Sequence, residues 1–243
     1  MRQADTLRTA IDIGGRAVEL VIRRNKRARN MVLRIARDGS HVHLSIPPRG
    51  DLTAALTFAE GKRDWIATRL AARPAPVPFA HGARIPFRGE THTVFHHPGR
   101  RRGAVWREGA GAAARICVCG AAEHLPRRLA DWLKEQAKAA FAQAVRAYAP
   151  AMGVRVARIT VRDQQSRWGS CSSKGNLNFS WRLIMAPPLV LDYIAAHEVA
   201  HLVHMNHSAD FWRLVKAHCP HTDAAERWLA AHGAELHRYG RKG

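Results

Sequence analysis

Two histidines and a glutamate within one five-residue stretch carry the strongest chemical signal in the sequence. His197, Glu198 and His201 form an H-E-x-x-H pattern inside a segment that is otherwise almost wholly apolar. Because helical residues four apart project from the same face, the two imidazoles can reach one metal ion. Glu198 is then placed to act as general base on a zinc-activated water without ligating the ion itself. The pattern predicts a catalytic zinc site with Glu198 as the catalytic residue.

The surrounding segment favours the same interpretation. Residues 188–205 are predicted to form a helix, and Pro188 suits its first position, where a missing N–H costs nothing. The helix is apolar nearly all round, which is typical of a buried helix. Buried ionisable groups need partners, and a metal ion would satisfy all three of them.

Three residues compete for the third ligand position. His204 lies seven residues after His197, a rise of about 10.5 Å along a straight helix, which is too far for both to share one ion. His207 follows Asn206, a residue type that tolerates the left-handed conformation in which helices end, so the chain can turn back there. We predict His207 as the ligand, with Glu226 as a weaker alternative and His204 on the helix surface or beside the ligands.

Hydrolysis also needs a donor that stabilises the developing oxyanion. Arg167, His204 and Tyr193 are the candidates. Their alternative roles are a salt bridge, an exposed surface residue and core packing, respectively.

Hydrophobic periodicity gives the organisation of the chain. The N-terminal part is rich in short β-branched runs, whereas apolar residues recur at helical spacing from Leu125 onward. The predicted strands lie at about 18–22, 31–35, 41–46, 114–118, 154–161 and 176–181, with a hairpin at 83–95. The predicted helices lie at about 51–70, 125–148, 188–205, 208–218 and 223–237. We therefore expect an α+β protein, with a β-rich N-terminal region that includes one helix over residues 1–120. The catalytic half, over 121–243, is expected to combine the H-E-x-x-H helix with a small antiparallel sheet.

Composition and charge bound the remaining possibilities. The 243 residues are 47% hydrophobic, enough for a buried core, and the formal net charge is +20. The sequence contains no apolar run of membrane-spanning length and begins without an apolar signal segment, so we expect a cytoplasmic protein without membrane contact. The charge favours contact with DNA or RNA, although a merely solvated basic surface explains it as well.

Several segments resemble the YgjP-like metallopeptidase family. They are S-R-W-G-S-C-S at 166–172, L-N-F-S-W-R-L at 177–183, D-Y-I-A-A-H-E-V-A-H-L at 192–202 and N-H-S-A-D-F-W at 206–212, with weaker matches at 26–35 and 62–66. The resemblance covers residues 18–235. In its histidine block, this family is similar to SprT-like and Wss-type proteases. It implies a zincin-like fold and zinc-dependent hydrolysis of a protein or peptide substrate. It also implies His197, His201 and His207 as ligands and Glu198 as the catalytic residue.

The resemblance further suggests how substrate is held. By analogy with zincin-like enzymes, the strand at 176–181 would be the edge strand that pairs with an extended substrate, and Arg167, Asn178 and His204 are the predicted substrate-binding residues. Two alternatives stay open. One is a zinc-dependent hydrolase of a non-peptide amide, and the other is a nucleic-acid-associated protein with structural zinc. Cobalt or manganese could occupy the same ligands.

Overall fold

The computed structural model describes residues 6–36, 39–72, 75–99, 105–164 and 166–240. Contacts within the chain divide it into two units, Met1–Ala75 and Pro76–Gly243. The first unit contains a four-stranded sheet in the order β1-β2-β4-β3. Its strands are β1 (Thr6–Ile13), β2 (Arg16–Arg24), β3 (Val32–Ile35) and β4 (His41–Ile46), and β2 runs parallel to β4.

Two short helices follow in the first unit, α1 (Leu52–Glu60) and α2 (Arg63–Ala71). The sequence predicts one helix over 51–70, which is wrong. The helix breaks at Gly61, a poor helix former, whose N–H closes the last turn on the carbonyl of Thr57 at 2.9 Å. Asp51 caps the start of α1, since its carboxylate accepts from the N–H of Ala54 at 2.8 Å.

The second unit begins with another four-stranded sheet, ordered β5-β6-β8-β7. Its strands are β5 (Arg84–Phe87), β6 (Glu90–His97), β7 (Val105–Glu108) and β8 (Arg115–Cys119). The long helix α3 (Leu125–Ala151) follows and buries the apolar stripe that predicted it, including Leu129, Leu133 and Phe141. None of the helices in the described part of the chain is long and apolar enough to cross a membrane.

The rest of the second unit is a small sheet followed by helices. The sheet is ordered β10-β11-β9, with β9 (Arg158–Arg162), β10 (Gly169–Cys171) and β11 (Asn176–Ser180). It is mixed rather than antiparallel as predicted, because β11 pairs in parallel with β9 and antiparallel with β10. The helices are α4 (Pro188–Ala200), α5 (Ala209–His218) and α6 (Thr222–His232), with short 3-10 helices at Trp181–Met185 and Gly233–Arg238.

The α+β class and the β-rich N-terminal region agree with the sequence, but the division of the chain does not lie at residue 120. It lies after Ala75, because the sheet β5–β8 shares one core with the later helices. Ile85 and Ile116 from that sheet are buried in the same cluster as Leu129 and Leu133 of α3. Apolar pattern alone shows which residues are buried, not which sheet they pack against.

Arg182 ties the end of the second unit to its small sheet. Its guanidinium donates to both carboxylate oxygens of Asp163, at 2.8 and 3.1 Å. It also donates to the carbonyls of Leu236 and Tyr239, at 2.9 and 2.8 Å. The Arg182 side chain is almost fully buried and satisfies four acceptor atoms, two of them on the Asp163 side chain, which is 43% exposed.

Replacing Arg182 should therefore destabilise the protein. We expect Arg182→Met to lower the free energy of unfolding by about 2–4 kcal/mol, because it strands two buried carbonyls and one carboxylate. Chemical denaturation measures the change. Arg213→Met is the matched control, since Arg213 is 76% exposed, and it should alter the same free energy by less than about 0.5 kcal/mol. Equal effects for the two variants would contradict this account of Arg182.

Candidate metal centre

Three imidazoles converge at the end of α4. One nitrogen from each of His197, His201 and His207 lies within 4.8 Å of the others. The Nε2 atoms of His197 and His207 are 3.1 Å apart. Glu198 does not belong to this group of ligand atoms. The arrangement therefore offers three imidazole nitrogens as potential donors, and the carboxylate of Glu198 follows the first of them in the chain.

The helix ends earlier than predicted. It stops at Ala200 rather than near residue 205, and the N–H groups of Leu202 and Val203 bond to carbonyls three residues back. Asn206 does not turn the chain through the left-handed region, because Arg88 is the only described residue other than glycine with a positive φ. A tight turn directly after His201 brings His207 back instead.

The start of α5 fixes His207 in place. Ser208 caps this helix, with its hydroxyl accepting from the N–H of Phe211 at 3.3 Å. The buried Phe211 ring lies 5.0, 4.6 and 4.9 Å from the rings of His197, His201 and His207. The Phe211 ring thus packs against all three imidazoles.

Hydrogen bonds set which nitrogen each ring offers. His201 Nδ1 lies 3.1 Å from the carbonyl of His204, so it carries the proton and leaves Nε2 with a lone pair. His197 Nδ1 lies 3.4 Å from the hydroxyl of Tyr193, which donates in turn to Glu226 at 2.9 Å. Burial, together with the neighbouring imidazoles of His201 and His207, lowers the pKa of His197 to about 3. The ring is therefore neutral at physiological pH.

Tyr193 and Glu226 form a hydrogen-bonded chain that ends at His197. Sequence reasoning offered Tyr193 as an oxyanion donor and Glu226 as a ligand, and both suggestions are corrected here. The Tyr193 proton is committed to Glu226, and Glu226 is not in the ligand group. The signal was present in the sequence, because Tyr193 precedes His197 by four residues and so lies on the same helix face.

Removing the Tyr193 hydroxyl should weaken metal binding. We expect Tyr193→Phe to lower the affinity of the imidazole cluster for zinc by about 10–100-fold, since the orientation of His197 is then no longer fixed. Competition titration with a chromophoric chelator measures the affinity. Tyr239→Phe is the control, because that half-buried phenol lies away from the cluster and should leave the affinity unchanged. Equal affinities for Tyr193→Phe and the parent chain would contradict the role of this hydroxyl.

The side chain of Glu198, on α4, packs closely against the strand β10. It is only 5% exposed, and a Cβ atom placed on Gly169 would lie 2.4 Å from its Oε1. Burial raises the pKa of Glu198 to about 8, and the positive charge of Arg167 opposes that rise. Gly169 was missed as a functional position, although the W-G-S-C sequence around it was noted in the family resemblance.

The contact with Gly169 gives a direct test of how Glu198 is positioned. Gly169→Ala should lower kcat about 100-fold, because the added methyl group must displace the carboxylate. Zinc affinity should change little, since the imidazoles do not touch residue 169. Gly99→Ala serves as control, as its Cβ would meet nothing within 4 Å. Steady-state kinetics on a fluorogenic peptide decide, and undiminished kcat in Gly169→Ala would refute the contact.

The other predicted substrate residues lie at different distances from this centre. Arg167 is exposed and close enough to Glu198 to affect its pKa. His204 contributes its main-chain carbonyl to the ligand His201, and its side chain is half-buried. Asn178 lies on β11, which has a strand on each side and cannot be the edge strand that was predicted. The edge strand beside Glu198 is β10.

A set of three imidazoles with an adjacent buried carboxylate is typical of metal-dependent hydrolases. The chain belongs to the YgjP-like metallopeptidase family, whose metallopeptidase domain model matches residues 29–232. Family membership supports a metal-dependent peptidase. The metallopeptidase zymogen abylysin of Pyrococcus abyssi is similar over 37% of this chain and 93% of its own, with 19% identity and a TM-score of 0.33. No curated protein matches the chain.

Proposed function

We propose that this protein is a zinc-dependent metallopeptidase that hydrolyses peptide bonds with Glu198 as general base. The observation that carries the proposal is the convergence of three imidazole nitrogens within 4.8 Å next to a carboxylate that is 5% exposed. Family membership supports the peptidase class. A zincin-like fold with His197, His201 and His207 as ligands belongs to the same proposal.

The donor set fits zinc well. Neutral imidazoles are good zinc ligands, and three protein ligands leave one coordination position open for chemistry, unlike a closed structural site. The hydrogen bonds at Nδ1 of His197 and His201 orient both rings before any ion arrives. When bound there, zinc would supply Lewis acidity for the scissile carbonyl and acidify a water molecule.

Glu198 would handle the proton. Its carboxylate takes a proton from the attacking water and passes it to the leaving amine, so one group serves both halves of the reaction. The close contact with Gly169 restricts where the carboxylate can move. Arg167, which is exposed beside Glu198, and His204 are the two remaining proposed donors to the oxyanion.

The edge of β10 would hold the substrate main chain. The main-chain N–H of Ser180 donates to the carbonyl of Trp168 at 2.8 Å, and the main-chain N–H of Ser172 donates to that of Asn176 at 3.0 Å. The main-chain groups of residues 168 and 172 therefore face β11. In an antiparallel pair the intervening odd-numbered residues face the other way. Gly169 therefore directs its N–H and C=O toward the open edge, where an extended peptide would pair beside Glu198.

The substrate class separates this proposal from a non-peptide amidase with the same ligands. Zinc-loaded protein should cleave an unfolded protein, with fragments visible by mass spectrometry, and chelation should stop the cleavage. Small aliphatic amides should react much more slowly. Cleavage of the amides without any proteolysis would replace the peptidase by the amidase alternative.

Contact with nucleic acid is a separate proposal that rests on the net charge of +20. Binding of this electrostatic kind must weaken steeply as salt rises, because released counterions drive it. We expect a fluorescent DNA duplex to bind at low ionic strength and to dissociate as salt is added. Absence of binding at low ionic strength would remove DNA from the proposed partners.

A further inference from the structure

A second group of potential metal ligands lies where α5 meets α6. Asp192 on α4, Cys219 at the end of α5 and His221 just before α6 bring one ligand atom each within 4.8 Å of the others. Cys219 is fully buried and carries a free thiol. The side chains of Asp192 and His221 are 34% and 33% exposed. None of these residues takes part in the proposed peptidase chemistry.

The same imidazole nitrogen faces both partners. Nε2 of His221 lies 3.3 Å from Sγ of Cys219 and 3.0 Å from Oδ2 of Asp192. A catalytic triad needs the thiol and the carboxylate on opposite ring nitrogens, so that a proton can pass through the ring. This geometry excludes such a triad. Three donor atoms that converge on one point are instead arranged as ligands around a cation.

The spacing suits a small divalent ion. Tetrahedral zinc with Zn–S of about 2.3 Å and Zn–N of about 2.0–2.1 Å separates sulfur from nitrogen by about 3.6 Å, and nitrogen from oxygen by about 3.4 Å. The observed separations of 3.3 and 3.0 Å are a few tenths of an ångström shorter. Small side-chain movements therefore convert the cluster into a coordination site.

Neighbouring hydrogen bonds already orient two of the three ligands. The Tyr148 hydroxyl donates to the Asp192 carboxylate, and the Thr222 hydroxyl donates to the carbonyl of Cys219 at 2.7 Å. Bonds of this kind, made by residues around the ligands, raise metal affinity by reducing the ordering needed on binding. Burial raises the pKa of the Cys219 thiol, and a coordinating cation would displace its proton.

The cluster also has an entrance. Asp192 and His221 line a cavity of about 450 Å³ whose other walls are mostly apolar side chains of α3 and α4. An ion can reach the cluster through this cavity, and a fourth ligand can complete its coordination from the same side. Entry from here does not pass through the imidazole cluster of His197, His201 and His207.

We propose that Asp192, Cys219 and His221 bind a second divalent cation of the zinc class. Thiolate, imidazole and carboxylate together select such ions rather than magnesium or calcium. The ion would join α4, which carries the proposed catalytic residues, to the segment between α5 and α6. A ligand that enters from the cavity would be its fourth, and the proposal is independent of the peptidase reaction.

Binding of cobalt tests this proposal without any measurement of peptidase activity. The imidazole cluster contains no sulfur, so a sulfur-to-cobalt charge-transfer band in the near ultraviolet reports a thiolate ligand. Titration of the metal-free protein with Co²⁺ should give two bound ions per chain and this band. Cys219→Ser should lose the band and one ion. One bound ion without the band would overturn the proposal and leave a simple Asp192–His221 ion pair.

Two other cysteines serve as controls. Cys171 lies near Glu198, and Cys117 lies in a different group of potential ligands with His97 and Glu108. Cys171→Ser and Cys117→Ser should keep the band, and its loss in either would refute the assignment to Cys219. If Cys219→Ser does not fold, Asp192→Asn decides. It should weaken binding of the second ion at least about tenfold, and unchanged affinity would reject the site.

Discussion

Glu198→Gln is expected to lower the rate of peptide hydrolysis by about 10²–10⁴-fold while the imidazole cluster keeps its affinity for zinc. The amide has the same size as the carboxylate and fits the same space beside Gly169, but it cannot accept a proton. Zinc binding should persist because Glu198 lies outside the ligand group. Steady-state kinetics and a chelator competition titration measure the two quantities on one preparation.

Glu135→Gln is the matched control for this prediction. Glu135 lies exposed on α3. Its replacement by Gln makes the same exchange of a carboxylate for an amide without touching the metal centre. It should leave both the rate and the zinc affinity at the parent values. Full activity in Glu198→Gln would reject the general-base assignment, and loss of zinc in that variant would make Glu198 a ligand instead.

The second large effect is expected from a pair of histidines three residues apart. His207→Ala should lower the zinc affinity of the imidazole cluster by more than about 100-fold and abolish hydrolysis, because one of three protein ligands is lost. His204→Ala should keep the affinity within a few-fold of the parent, since His204 supports His201 through its main-chain carbonyl. His207 is exposed, so its removal should not unfold the protein.

This pair also distinguishes the proposed ligand set from its alternative. The structure places Nε2 of His207 3.1 Å from that of His197, whereas His204 is not among the convergent imidazoles. If His204→Ala loses zinc and His207→Ala retains it, the ligand set is wrong. Direct metal analysis after gel filtration, compared with circular dichroism for folding, decides between the two outcomes.

The convergence of the histidines can be predicted from the sequence because these residues lie close together in the chain. Helical spacing of four residues places His197 and His201 together, and this holds wherever the helix packs. His207 does lie beside His197 and His201, but the expected turn at Asn206 does not bring it there. The chain leaves the helix after Ala200 through a tight turn, not through Asn206, because turn hydrogen bonds compete with the last helical turn.

Longer-range features were not predictable from pattern. The wedge of Glu198 against Gly169 joins residues 29 positions apart through the pairing of a helix with a strand edge. The identity of that edge depends on sheet order, since an alternating strand such as β11 reads the same whether it is central or at an edge. The division of the chain after Ala75 likewise depends on which sheet α3 covers.

The central claim is most directly tested by a crystal structure of the zinc-loaded protein, with anomalous data collected on both sides of the zinc absorption edge. The account predicts a zinc peak about 2.0–2.1 Å from one nitrogen each of His197, His201 and His207, with the Glu198 carboxylate nearby but not coordinated. Absence of zinc between these three rings, or a peak ligated by Glu198 in place of His207, would contradict it.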